Sequence, residues 1–352
     1  MRQLIIRATV VALLSAAATT PALAQSKPAT VAELALYQGA DRQQVLQEGA
    51  KSEGEVMLYT SMPKEDVQAL SDAFGKKYGI KIKLWRASSE QITQRVVTEA
   101  RGRRYDVDII ENSEPSLLAL RREKMLQEVR TAAQDNVIPR AVPDHREWTG
   151  STFDAFVQAY NTNLVNKADL PKTYEDLLDP KWSGKISVEA ADQVWFNTLI
   201  DSMGKKQGLQ LFQKIIAANG VSTRSGHSLL TRLVASGEVP LALTTYNYAP
   251  AQLKQQGAPI DWFLLPPTVA QFRGVALARQ APHPHAALLW YDFMLSDEAQ
   301  KILADRHNYP TSKHMESPLG KTQVLFVDPA QALDKDVAWT KLFQQVFIKS
   351  AR

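Results

Sequence analysis

The first third of the chain repeats one alternation of apolar and polar positions three times. Residues 56–59, 80–85 and 107–110 are short apolar or alternating runs that read as strands. Each runs into a polar turn: Thr60-Ser61-Met62-Pro63, Arg86-Ala87-Ser88-Ser89 and Glu111-Asn112-Ser113. Each turn opens a helix. Val67, Leu70, Phe74 and Tyr78 recur at helical spacing after the first, and Ile92, Val96 and Ala100 after the second. Pro115 opens the third, because the first turn has no use for the N–H that proline lacks. A helix over residues 41–51, stopped by Gly54, precedes the series. This β-α-β-α order predicts a parallel sheet with ligands off the C-terminal ends of its strands.

Beyond Leu126 the rhythm loosens. Residues 148–160, WTGSTFDAFVQAY, are apolar and β-leaning, and suit a strand that crosses between lobes. Residues 171–185 read as a helical turn and loop. A second strand–helix series starts at 186–188, with helices near 194–203 and 209–218 and another strand-to-turn step at Val221-Ser222-Thr223-Arg224-Ser225. Residues 239–243 form an apolar run that passes through Thr244 and Thr245 into Tyr246-Asn247-Tyr248. Asn247 suits a helix cap, Pro250 a first turn, and Gly257 a stop. A return strand over 272–277, one long helix over 285–303, a turn at Pro310 and a last helix over 337–348 complete the reading. No internal repeat or low-complexity linker interrupts it.

The N-terminus gives an address. Arg2 and Arg7 precede an alanine-rich apolar run, and Ala22-Leu23-Ala24 is a small-residue cleavage site, so residues 1–24 read as a signal peptide. No cysteine follows the site to carry a lipid, and the sequence has none anywhere, which removes disulfides, thiolate catalysis and Cys-ligated metals. The remainder is 352 − 24 = 328 residues, enough for two lobes and expected as a soluble periplasmic monomer. The formal charge is +4, or +2 without the two leader arginines, and the bases are scattered, so nucleic-acid binding has no support. Motifs of the G-x-S-x-G, H-E-x-x-H, G-x-x-x-x-G-K and G-x-G-x-x-G types are missing, which argues against the corresponding enzymes. A glycoside-cleaving carboxylate pair, not legible from sequence, stays a remote option.

The chemistry-bearing residues cluster after the strands. Thr60, Ser61, Ser88, Ser89, Ser113, Thr223 and Ser225 would stand at helix N-termini around one cleft, where free N–H groups and partial positive charge favour an anion. Each could equally be a plain cap. Arg86 and Arg224 offer planar forks for carboxylate or phosphate, Arg86 the better placed. Glu111 and Asn112 end a strand at the same cleft, Glu111 as a metal ligand, a reader of donors or simple helix-start charge. Tyr246, Asn247 and Tyr248 complete the candidate ligand-binding set. Trp195 suits the core, His227 is a late contact or a helix-start residue, and His283 and His285 stand in a Pro-flanked loop without neighbouring acids.

Five ordered blocks carry a family resemblance: EGEVMLYTS (53–61), DVDIIENSEP (106–115), YEDLLDPKWSGKI (174–186), LVASGEVPLAL (233–243) and AALLWYDFMLSDEAQKIL (286–303). The chain resembles the type II periplasmic solute-binding proteins of ATP-binding-cassette importers, extracellular solute-binding family 1, in the branch that includes ferric-ion-binding proteins. The resemblance implies an α/β fold of two lobes, each a mainly parallel sheet flanked by helices, joined by two crossing strands. The lobes are expected at 31–150 plus 270–315 and at 151–269 plus 316–352. It also implies a ligand between them, delivered to an inner-membrane permease; a ligand-sensing adaptor shares the fold. Ferric-binding relatives place two adjacent tyrosines where this chain has Tyr246-Asn247-Tyr248, and many a histidine where it has Ser61-Met62. A small anion, organic or phosphorylated, is therefore the first expectation, with no cofactor. Ferric iron as transported ligand, held by Tyr246 and Tyr248 as phenolates, is the alternative.

Overall fold

The computed structural model describes residues 28–316, 319–320 and 322–348; the expected signal peptide over 1–24 and its cleavage site lie outside them. Helix α1 (Val31–Leu36) opens on a Thr30/Glu33 capping box, and α2 (Arg42–Glu53) ends on Gly54 in the left-handed region. The first series then follows in order: β1 (Glu55–Thr60), α3 (Lys64–Tyr78), β2 (Lys81–Arg86), α4 (Ser89–Arg101), β3 (Ile109–Ser113) and α5 (Glu114–Arg122). β1 pairs parallel with both β2 and β3. β3 starts two residues later than the apolar run suggests. Just before it, the buried Asp108 carboxylate accepts the N–H groups of Met57 and His283, both at 2.7 Å.

After β4 (Leu126–Gln127) comes β5 (Thr149–Asn161), thirteen residues buried along their whole length. The second series is β6 (Ile186–Glu189), α6 (Gln193–Ser202), α7 (Lys205–Asn219), β7 (Ser222–Arg224), α8 (His227–Ser236), β8 (Leu241–Tyr246), α9 (Tyr248–Gln255) and β9 (Ile260–Phe263). The chain returns through β10 (Thr268–Ala278), also buried throughout. It ends with α10 (Pro284–Met294), α11 (Asp297–Asp305), β11 (Tyr309–Pro310), β12 (Val324–Phe326), α12 (Pro329–Asp334) and α13 (Asp336–Phe343). The sheet order is β2-β1-β3-β10-β5-β8-β6-β7. β5 belongs to both halves: Phe153 pairs with Phe272 of β10, and Phe156 with Tyr246 of β8. Both strands bury their polar residues too, among them Ser151, Asp154 and Gln158 in β5 and Gln271 and Arg273 in β10.

Two cores flank this seam. One gathers Leu58, Phe74, Ile110, Trp290 and Phe293; the other Trp195, Phe196, Phe212, Phe343 and Phe347. In the second, Phe196 meets Phe212 and Phe347 edge-on at 5.2 and 5.0 Å, and such pairs add about 0.5–1.5 kcal/mol beyond area burial. Trp195 is wholly buried here, as core.

Three local expectations are corrected. The single helix over 285–303 is two, α10 and α11. Ser296 takes an extended backbone, its Oγ accepts the Ala299 N–H at 3.3 Å, and Asp297 and Glu298 fill a new first turn. Pro310 sits in β11 opposite Thr152, where a short partner strand tolerates its missing N–H. His283 and His285 do have acids: Asp108 lies 2.9 Å from His283 Nδ1 and Glu53 2.6 Å from His285 Nδ1. Both acids come from distant sequence and pin the start of α10. Among the described residues no helix is long and apolar enough to cross a membrane.

Candidate functional site

The ends of β1 and β3 and the middles of β5 and β10 form the floor between the lobes. Arg273 of β10 lies buried at its centre. Its Nε and Nη2 bond Glu111 Oε1 and Oε2, each at 3.0 Å, Nη2 also reaches Ser61 Oγ at 2.8 Å, and Nη1 stands 3.5 Å from Asp154 Oδ2. Thr60 Oγ1 donates to Glu111 Oε2 and accepts the Met62 N–H at 2.9 Å. Burial opposes the Arg273 charge, but Glu111 and Asp154 outweigh it and raise its pKa well above the ordinary arginine value. Burial lifts the Asp154 carboxyl to about 6, with Arg273 pulling it down and Glu111 pushing it up. Glu111 is thus taken up by an internal fork with a bidentate partner.

The second lobe supplies the opposite wall. β8 delivers Tyr246, and α9 starts on Tyr248; the rings lie 6.1 Å apart and nearly parallel. The other face of Tyr246 stacks on His227, the first residue of α8, at 4.1 Å, and Gln271 Nε2 donates to the Tyr246 hydroxyl at 2.9 Å. Burial, then Asp192 and Asp154, holds Tyr246 well above the usual phenol pKa; burial and Asp154 do the same to Tyr248. Both are therefore neutral hydroxyls in the ligand-free protein. Asn247 does not cap α9. Its backbone is helical, Oδ1 accepts the Ala155 N–H at 3.0 Å, and Nδ2 donates to the His307 carbonyl at 2.9 Å. It is a buried strut between β5 and the chain after α11.

Beside Tyr246, Glu189 ends β6, Asp192 precedes α6, and His227 Nε2 stands 3.0 Å from Asp192 Oδ1. Glu189 accepts the N–H groups of Gly226 (2.8 Å) and Ala191 (2.6 Å). Burial and then Asp192 raise the Glu189 pKa. For His227 burial works downward, but Asp192, Glu189 and Asp154 prevail and raise it.

The remaining expected residues divide. Arg86 ends β2 at an exposed position; its Nε donates to the Met62 carbonyl at 2.7 Å, and no carboxylate pairs with it among the described residues. Its charge is felt at Tyr248 across the cleft, where it favours the phenolate. Ser61 and Ser89 stand with hydroxyls 3.4 Å apart, Asn112 Nδ2 donates to the Ser89 carbonyl at 3.1 Å, and Ser113 Oγ donates to Ser116 Oγ at 3.2 Å. Ser88 is a cap in a capping box with Gln91. On the far side, Arg224 Nη1 donates to the Thr223 carbonyl and Nη2 lies 3.7 Å from Glu238, while Ser225 is exposed. The structure brings Ser61, Ser89 and Asn112 together, Ser61 on Arg273, and sets Arg86 near enough to Tyr248 for its charge to act there. It turns Arg224 away to Glu238.

Sequence reasoning did not single out Arg273, Asp154, Gln271, Glu189 or Asp192. Two left a trace: Arg273 and Asp154 are lone charges inside apolar strands, FRGVAL and FDAFV, and a lone charge there needs a buried partner.

Residues 107–341 match the model of the bacterial extracellular solute-binding protein family. The chain belongs to that family. Its role is that of the substrate-binding component of an ATP-binding-cassette importer. Among curated relatives, the major ferric iron-binding protein of Neisseria meningitidis serogroup B is 24% identical over 320 residues, covering 84% of this chain and 93% of the relative. Among solved structures, iron-bound HitA from Pseudomonas aeruginosa is 25% identical with a TM-score of 0.71, covering 83% of this chain and 99% of that one. The periplasmic binding protein AfuA from Actinobacillus pleuropneumoniae, with fructose-6-phosphate bound, shares the fold at 20% identity and a TM-score of 0.71, over 84% and 99% of the two chains. The two-lobed type II architecture follows from these likenesses.

Proposed function

We propose that this chain captures a small anion, organic or phosphorylated, between its lobes and hands it to an inner-membrane permease without chemical turnover. The observation that carries the reading is Arg86, a guanidinium with no acid partner among the described residues, whose charge reaches the neutral phenol of Tyr248. Four helices, α3, α5, α8 and α9, have no hydrogen bond from their own cap side chain, which leaves part of their first-turn N–H groups for a guest. The lobes are taken as 31–150 plus 270–315 and 151–269 plus 316–352. The mature protein is taken to start at Gln25 and to act as a periplasmic monomer.

Ferric iron is the second reading, favoured by the parallel Tyr246/Tyr248 pair and by the ferric iron-binding relatives. Against it, Glu111 and Asp154, the carboxylates of the floor, both face Arg273. Fe(III) would have to rely chiefly on two phenols whose protons are hard to remove.

Native mass spectrometry with metal analysis of protein isolated from periplasm tests both. It is followed by calorimetric titration with inorganic phosphate, fructose 6-phosphate, citrate and a ferric chelate. An anion should bind colourlessly, compact the protein in small-angle scattering, and raise its melting temperature. Tyr246→Phe and Tyr248→Phe should each weaken it by roughly ten- to a hundredfold, as a lost hydrogen bond to a charged acceptor does. A tyrosinate absorption band with Fe(III), lost in either Phe variant and kept when Arg86 is removed, overturns the anion reading in favour of iron.

A further inference from the structure

Behind Tyr246 the second lobe holds two adjacent carboxylates, and among the described residues neither is paired with a lysine or arginine. Glu189, Asp192 and His227 each offer a ligand atom, and these three atoms lie within 4.8 Å of one another. Asp192 is 3% exposed and its Oδ2 is buried with no hydrogen-bond partner. His227 Nε2 lies 3.0 Å from Asp192 Oδ1 without an aligned N–H donation, so both atoms could turn to a cation. A buried carboxylate oxygen left without a partner is costly, and nearby polar groups do not offset it.

From this cluster we propose a divalent-cation site of the zinc class, made by Glu189, Asp192 and His227 and distinct from the tyrosine pair. One imidazole and two carboxylates form a mixed nitrogen–oxygen set that suits Zn2+ and is poor for Mg2+, which prefers oxygen ligands and water. Three protein ligands leave a fourth position for water or for an oxygen of a guest. The supports are already in place. The Gly226 and Ala191 N–H groups orient the Glu189 carboxylate, Asp192 sits at the N-terminus of α6, and Tyr246 stacks flat on the imidazole and fixes its plane. The ion would also neutralise a wall that otherwise repels an anion.

The test uses the full mature chain, freed of ligand and metal with a chelator, titrated with zinc chloride and, in parallel, magnesium chloride. We expect one zinc per chain, a higher melting temperature with zinc, and no binding of magnesium in the same range. His227→Gln and Asp192→Asn should each weaken zinc at least about tenfold, the least expected for a lost direct ligand. His314→Ala, at an exposed histidine elsewhere, should leave it within about threefold. Should Asp192→Asn misfold because Asp192 opens α6, His227→Gln at its partly exposed position carries the test. Its melting temperature without zinc should match wild type. Zinc binding that is absent, or equal in wild type and His227→Gln, overturns the proposal. Because the anion titrations are run with chelator present, a failed anion reading and a failed zinc site give different results.

Discussion

The floor and the wall of the cleft bury similar chemistry in opposite ways. On the floor, Arg273 meets Glu111 through two bonds of 3.0 Å and also faces Asp154 and Ser61. On the wall, among the described residues, Asp192 keeps a buried oxygen without a partner, and Tyr248 presents a neutral hydroxyl within reach of the charge of Arg86, which no carboxylate pairs. A satisfied network holds strands β1, β3, β5 and β10 in register and has little capacity left for a guest. Groups held in place but unsatisfied are where a guest gains most, since it supplies the missing partner. Position at a cleft is therefore weaker evidence of binding than an unmet hydrogen-bonding need.

The largest expected effect lies on the floor. Arg273→Met should destabilise the protein by about 3–5 kcal/mol in chemical denaturation, because it strands two buried carboxylates. Adding Glu111→Gln and Asp154→Asn to that variant should restore much of the loss. If Arg273→Met keeps full stability and loses only ligand, the floor is a binding surface and the contrast with the wall fails.

Asp154 sharpens the contrast through pH. Its folded value of about 6 stands above its reference of 3.8, so between these values the folded chain holds a proton that the unfolded chain has released. This contribution to stability is present at low pH and is lost as pH rises through about 6. Relative to Asp154→Asn, wild type should lose about 1–3 kcal/mol between about pH 4.5 and 7, measured as the difference between two denaturation series.

On the wall side the effects fall on affinity. Arg86→Ala should weaken the captured anion at least about tenfold in calorimetry while changing stability by less than about 0.5 kcal/mol, since the residue is exposed and makes one backbone bond. The smallest effect belongs to Arg224→Ala. With its guanidinium turned to Glu238, affinity should change less than about threefold and stability by under about 0.5 kcal/mol. A large loss of affinity there would place Arg224 in the cleft of the closed form.

Much of the scaffold was determined locally by the sequence. The strand–turn–helix order, the crossing strand β5, the return strand β10 and the tyrosine pair at a strand–helix junction all follow from periodicity and from Gly and Pro positions, signals that act within a few residues. The expectation of a signal peptide is likewise a composition signal, one that falls outside the described residues. What only the tertiary structure decided is pairing. Glu111 and Arg273 are 162 residues apart, Asn247 and Ala155 are 92 apart, and Arg86 is distinguished by having no carboxylate partner among the described residues. A side chain's hydrogen-bonding capacity is written in its own chemistry. Whether that capacity is already spent depends on which distant strands the sheet sets side by side, and no local pattern carries that information.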